Sequence, residues 1–456
     1  MSEERELAPW KRLEELADAG DKQQIRAEAE AIGVREMARA VSRLNVDEQA
    51  TVIRALDPED AADLIEELAD AQAVDIISSL SAEDAAPILN EMESDESADV
   101  LSQLKDAHAE DILSEMDPES AEDARLLTSY AADVAGGLMV TEYLAYSTNF
   151  KTEQVIDDLR TNAREYRDYS VQYIYVVSVE DGVLRGVLPL RDLLLTPGDA
   201  SIADVMIKSP VTVRDTMPLE KLNEFFDEHK YLGVPVTDAD GKMLGIVEPE
   251  HVEEALANQA QSDFLKTLGI VRGDEFRSMP LFRRSEKRLS WLSVNFFLNM
   301  ISVAVISTFT DTLSAVIALT AFLPVISDMS GCSGNQAVAV SMRELTLGLL
   351  KPFELAHVLA KEASVGVING LVLGAFLGAV ATLYGMNPYL GLVVGGTLAL
   401  NTVIAVSLGG ILPLILKRMK MDPALASGPI LTTTTDLCGF FTVLSLATAF
   451  LPLLTK

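Results

Sequence analysis

Three hydrophobic patterns follow one another along this chain. From Asn45 a twelve-residue unit recurs without a break: NVDEQATVIRAL, DPEDAADLIEEL, ADAQAVDIISSL, SAEDAAPILNEM, ESDESADVLSQL, KDAHAEDILSEM. The eighth position reads Val52, Leu64, Ile76, Ile88, Val100 and Ile112. The ninth reads Ile53, Ile65, Ile77, Leu89, Leu101 and Leu113, and the twelfth is Leu or Met throughout. Positions spaced by one, three and four share one face of a helix. Several units open with Asp or Ser followed by acids, which suits a helix N-terminus, and Pro58 and Pro118 fit the first helical position. Each unit is about two turns long, too short to hold alone, so neighbours must stack. The spacing predicts an α-helical superhelical N-terminal solenoid over residues 45–128, after a helical lead-in over 1–44.

A second pattern begins near residue 129. VQYIYVVSVEDGVLRGVLPLRDLLL (171–195) reads as strand, Asp-Gly turn, strand and helix, and YLGVPVTDADGKMLGIVEPEHVEEAL (231–256) repeats that order. A helical stretch precedes each, KTEQVIDDLRTNA (151–163) and MPLEKLNEFFDEHK (217–230). Before each helix lies an extended segment, LMVTEYLAYST and DVMIKSPVTVRDT. The duplicated pattern resembles a tandem of cystathionine-β-synthase (CBS) domains, an α+β pair at 129–200 and 201–257. The resemblance implies ligand sensing, with adenine nucleotide or metal both compatible.

The third pattern is apolar. Stretches at roughly 290–309, 312–340, 363–384, 389–416 and 428–454 are long enough to cross a bilayer, giving an all-α five-helix transmembrane domain over 289–456. A linker and helix over 258–288 lead into it. Arg283, Arg284, Lys287 and Arg288 precede the first span. Arg343, Lys351 and Lys361 lie between the second and third, and Lys417, Arg418 and Lys420 between the fourth and fifth. With five spans, all three basic clusters fall on the cytoplasmic side. The soluble modules share that side and the C-terminus emerges opposite.

Within GPILTTTTDLCGFFTVLSLATAFLPLL (428–454), Asp436 is the single charge. A carboxylate near the middle of a span costs about 2.5–3.5 kcal/mol on insertion scales unless it meets water, a cation or a partner. Thr432 to Thr435 run up to it. Hard cations choose oxygen ligands, and Mg²⁺ keeps waters while using one or two carboxylates. The residues therefore point to a cation pathway; burial by helix partners for assembly is the alternative. At the end of the second span LPVISDMSGCSGNQAVAVSMREL (323–345) places Asp328, Ser330, Ser333, Asn335 and Gln336, either lining water at membrane depth or lying at the cytoplasmic interface.

Charge sharpens this division. Residues 1–128 carry 11 Lys/Arg against 35 Asp/Glu, residues 129–279 carry 14 against 26, and residues 280–456 carry 11 against 8. So acidic a soluble part excludes nucleic acid, whose phosphates call for Lys and Arg, and favours cations. Cys332 and Cys438 form no disulfide framework, and the charged N-terminus is no secretory signal. His108, His229, His251 and His357 are scattered, which argues against soft-metal chemistry. No phosphate loop, metal-hydrolase helix or nucleophile elbow marks an enzyme.

The order of acidic solenoid, CBS pair, linking helix and five spans resembles the MgtE family of magnesium channels and transporters. SGNQ at 333–336 with MREL at 342–345, and DPALASGPILTTTTDLCGF at 422–440, carry the resemblance in the membrane region. It implies a homodimer in the cell inner membrane, with a pore between the second and fifth helices of both subunits. The family's pore aspartate matches Asp436 and its carbonyl one turn earlier matches Thr432, with Asp328 and Asn335 as further pore candidates. Gly428-Pro429 stands where some members have Asn-Pro. The resemblance also implies that cytosolic acids bind Mg²⁺ and hold the channel shut. That acidic pattern matches Glu250, Glu254 and Asp263, while His251 replaces an aspartate and Gln259 and Gln261 stand where acids can occur. The helix at 253–268 resembles the family's plug. A broader divalent or ion-coupled carrier, taking Co²⁺ or Mn²⁺, and a non-conducting membrane-anchored CBS sensor are the competing readings.

Overall fold

The computed structural model describes residues 8–164, 166, 167, 169, 172–270, 275–346 and 348–455. Residues 1–7 of the expected lead-in, Val171 of the first hairpin segment and residues 271–274 of the linker lie outside the described residues. The chain divides into two compact units, one of residues 1–259 and 276–280 and the other of residues 260–275 and 281–456.

In the first unit α1 (Pro9–Ala19), α2 (Lys22–Ile32) and α3 (Val34–Val41) lead into one short helix per repeat. These are α4 (Val46–Ile53), α5 (Pro58–Glu66), α6 (Asp70–Ser79), α7 (Ala82–Glu91), α8 (Ser94–Gln103) and α9 (Asp106–Glu115), closed by α10 (Pro118–Leu127). The start signals read from the sequence are in place. Asn45 and Glu48 form a capping box, the Ser81 hydroxyl accepts from the Asp84 N–H, and Pro58 and Pro118 open their helices. All twelve residues at the eighth and ninth repeat positions are buried in one continuous core. No single helix of about ten residues is stable in water, so this shared core is what holds them.

The α+β part contains two sheets. In the first, β1 (Leu144–Ser147) runs parallel to β2 (Tyr173–Val177), and β3 (Leu184–Pro189) and β4 (Ile207–Lys208) follow antiparallel. In the second, β5 (Val213–Arg214) runs parallel to β6 (Val234–Thr237), which pairs antiparallel with β7 (Met243–Val247). Gly182 and Gly241 take φ of 67° and 83° at the two Asp-Gly turns, a conformation that favours glycine. Helices α11 (Thr152–Thr161), α12 (Leu190–Leu195) and α13 (Ile202–Val205) cover the first sheet and α14 (Leu219–Glu228) the second. The two copies exchange segments across the 200/201 division drawn from the sequence. Ala135, Leu138 and Met139 pack in the second core, Val140 bridges to Ile246, and Ile202 packs in the first core. A duplicated pattern marks two modules but does not say which flank completes which sheet.

Helix α15 (Pro249–Thr267) starts in the first unit and ends in the second. The second unit then carries α16 (Leu281–Ser307), α17 (Thr310–Ala315), a 3₁₀ turn (Ile317–Ala321), α18 (Leu323–Thr346), α19 (Leu355–Gly385), α20 (Pro388–Arg418), α21 (Pro423–Ala449) and α22 (Leu451–Leu454). Five segments have the length and hydropathy to cross a membrane. The expected second span at 312–340 is not one helix: α17 ends at Ala315, and α18 runs through the polar stretch to Thr346 without a break. Gly334 lets α18 approach its neighbours, since a Cβ there would lie 3.1 Å from the Ala405 carbonyl. The closest pairing is α19 on α20, where a Cβ on Gly374 would fall 2.5 Å from the Gly395 carbonyl, the small-residue contact by which membrane helices pack without a hydrophobic drive.

Candidate functional site

Asp436 lies midway along α21, and it is 8% exposed. Its carboxylate accepts from the Ser327 hydroxyl of α18 at 2.5 Å. Among the described residues no Lys, Arg or His lies within ion-pair distance of it. A buried carboxylate without a counter-charge is strongly disfavoured unless something else supplies the charge. Thr432 is one turn earlier. The hydroxyls of Thr432, Thr434 and Thr435 donate back to Gly428, Ile430 and Thr432 carbonyls at 2.9, 2.7 and 2.9 Å. Each of these hydroxyls thus spends its proton within its own helix, and the Thr432 carbonyl already accepts a side-chain bond that it must share or release to meet a cation.

Asn335 and Thr432 line one cavity of about 750 Å³, with Gly428 and Pro429 of α21, Arg343 of α18, Trp291 of α16, and Asp263 and Phe264 of α15. Asp328, by contrast, is exposed on α18 and makes no hydrogen bond or ion pair among the described residues. Asp263 faces Lys266, whose ammonium is 3.5 Å from it and 3.3 Å from Asp422 at the start of α21. Burial raises the Asp263 pKa, and Lys266 opposes that shift. A tethered ammonium already lies between these two carboxylates.

In the first unit Glu250 and Glu254 are exposed on α15. Glu254 adds to the negative field on Glu96, one of a group of carboxylates on α5 to α8 that the sequence reading did not single out. Burial, then Asp95, Asp70, Glu254 and Asp99, push Glu96 up to about 9. Burial followed by Asp95 and Asp70 pushes Asp99 up to about 7. His251 lies 3.1 Å from Asp95 and 3.6 Å from Glu93. Burial works against its charged form, but these two carboxylates outweigh it and raise the imidazole to about 9. Among the described residues no three carboxylate, thiol or imidazole groups converge closely enough to hold a metal ion by themselves. Ser327 and Asn401 were also not anticipated; a lone carboxamide in the apolar run of α20 was the signal for the latter.

Five membrane-length helices around a carboxylate without a basic partner among the described residues, on one chain with an acidic helical array and two CBS-type modules, make a multi-pass membrane protein with cytosolic domains. Three family profiles match the same three regions. MgtE, described as a divalent cation transporter, matches residues 323–446; the MgtE intracellular N domain matches 32–133; and the CBS domain matches 202–258. The magnesium transporter MgtE of Thermus thermophilus is 33% identical over 333 residues, spanning 71% of this chain and 72% of that protein. The magnesium transporter MgtE of Bacillus subtilis is 29% identical over 327 residues, spanning 72% of each. A solved structure of the cytosolic domain of the Mg²⁺ channel MgtE in complex with ATP overlays 53% of this chain and 98% of that one, at 28% identity and a TM-score of 0.48. The chain belongs to the MgtE family.

Proposed function

We propose that this protein mediates Mg²⁺ uptake across the cell inner membrane as a homodimeric channel, closed by Mg²⁺ binding to its cytosolic acids. One observation carries the reading. Among the described residues Asp436 is a buried, mid-span carboxylate with a single hydroxyl partner and no basic group beside it, so a passing cation is the counter-charge it lacks. Thr432 and Asn335 lead to it from the cavity beside the end of α15. Asp328 on α18 is the further pathway residue. One α21 supplies one carboxylate; a second subunit supplies the other and leaves room between them for an ion that keeps its water. The basic clusters support an orientation with both soluble modules and α15 on the cytoplasmic side and the C-terminus opposite.

Closure follows from electrostatics. Carboxylates crowd within each part, Glu96 and Asp99 beside Asp95 and Asp70 with Glu254 adding to the field on Glu96, and Asp263 beside Asp422; divalent cations held by these acids, with Glu250 among the ligands, favour the closed state. Adenine nucleotide is a further ligand of the CBS pair.

Cells deprived of their own Mg²⁺ uptake test the function directly. Expression of this chain restores growth on low Mg²⁺, and an equal membrane level of Asp436→Ala does not. Equal rescue by both would overturn the reading. Rescue of Co²⁺ or Mn²⁺ uptake in place of Mg²⁺ would favour the broader carrier, and no uptake of any ion would favour the sensor.

A further inference from the structure

We propose that Asn401 is a positioning residue for the Asp436 carboxylate, setting the rotation of α21 and with it the discrimination of the site among divalent cations. The inference rests on the reading of Asp436 as an ion site. Asn401 is 1% exposed in the apolar run of α20. Its Nδ2 donates to Ser330 Oγ on α18 at 2.7 Å and to the Thr435 carbonyl on α21 at 3.0 Å. One carboxamide therefore ties three helices together. Both of its bonds end beside the ion site. Thr435 immediately precedes Asp436, and Ser330 is one turn after Ser327, whose hydroxyl binds the Asp436 carboxylate.

The surroundings are shaped to this amide. The Ser330 hydroxyl is fully buried and donates onward to the Ile326 carbonyl at 2.7 Å, leaving its lone pairs for Asn401. A Cβ on Gly439 would lie 2.7 Å from Asn401 Nδ2, so α21 presents a glycine where the amide crosses it. The other end of the carboxamide, Oδ1, is buried without a hydrogen-bond partner among the described residues. A leucine of the same bulk would avoid that penalty. Adhesion between helices alone does not account for a half-satisfied amide at this depth; orientation of the neighbouring peptide does.

The lever is geometric. A carboxylate about 6 Å from the axis of its helix moves by about 1 Å when the helix turns by about 10°. Mg²⁺ and Ca²⁺ differ in metal–oxygen distance by about 0.3–0.5 Å. A rotation small enough to leave α21 packed is thus large enough to blur the choice between them.

The test uses the full-length protein in proteoliposomes, with Mg²⁺ and Ca²⁺ influx measured for the natural chain, Asn401→Leu, Ser330→Ala and Asp436→Ala. Asn401→Leu is expected to raise the half-saturating Mg²⁺ concentration roughly fivefold, the scale of one lost buried hydrogen bond. Preference for Mg²⁺ over Ca²⁺ falls with it, while the maximum rate stays within about twofold. Ser330→Ala keeps the bond to Thr435 and gives a smaller shift in the same direction. A loss of maximum rate and thermal stability with unchanged half-saturation would make Asn401 merely structural and overturn the inference. Unchanged half-saturation in Ser330→Ala would do the same if Asn401→Leu fails to fold. Normal flux through Asp436→Ala would instead overturn the reading of the ion site beneath it.

Discussion

Replacing Glu96 by glutamine should stabilise the cytosolic unit in the absence of divalent cations, and by an amount that grows with pH. Glu96 is drawn up from an ordinary carboxylate value near 4.5 to about 9 by burial and by Asp95, Asp70, Glu254 and Asp99. Below the unfolded value both states hold the proton, and the group contributes nothing to the pH dependence. Between the two values the folded chain keeps a proton that the unfolded chain releases, so stability falls as pH rises through that window and levels off above it. At pH 7 the accumulated loss is roughly 3 kcal/mol, at about 1.4 kcal/mol for each pH unit. Glutamine keeps the shape and removes the titration. In thermal unfolding of the full-length protein in detergent with a chelator, the natural chain and Glu96→Gln should melt together near pH 5. By pH 8 the variant should melt roughly 5–10 °C higher. Millimolar Mg²⁺ should narrow the gap, since a bridging cation relieves the repulsion that the proton relieved. Parallel pH profiles for the two proteins would refute the reasoning, because they would mean that Glu96 is not held above its ordinary pKa.

Two other outcomes follow from the charges. Lys266→Gln removes the ammonium between Asp263 and Asp422, so protease cleavage near residues 250–268 should quicken without Mg²⁺ and slow again when Mg²⁺ is added. Digestion that ignores both the substitution and the ion would show that this contact holds nothing in place. Deleting residues 1–128 should raise Mg²⁺ influx at high internal Mg²⁺, and inhibition that survives the deletion intact would take the solenoid out of the sensor.

The parts of this protein that repeat were legible in its sequence. Each solenoid helix buries the same positions, so Val52 and Ile112 announce the same core at opposite ends of the array. Asp436 was legible because a lone charge in an apolar run has few cheap explanations. Ser327 and Asn401 were not, because their roles depend on how α18, α20 and α21 are rotated against one another. That rotation is set by close contacts at Gly334, Gly409 and Gly439, which no periodicity records. The exchange of Leu138 and Ile202 between the two sheets was hidden by the duplication itself. Glu96 and Asp99 read as two more acids on a soluble face; only their burial distinguishes them from the rest.

The most direct test of the central claim is Mg²⁺ influx into proteoliposomes holding the full-length protein, compared with Asp436→Ala at low Mg²⁺ on the cytosolic side. Saturable influx in the natural chain that falls to the level of empty vesicles in a folded variant is the result this account predicts. Equal influx through both proteins would contradict it, because the ion would then cross without the Asp436 carboxylate.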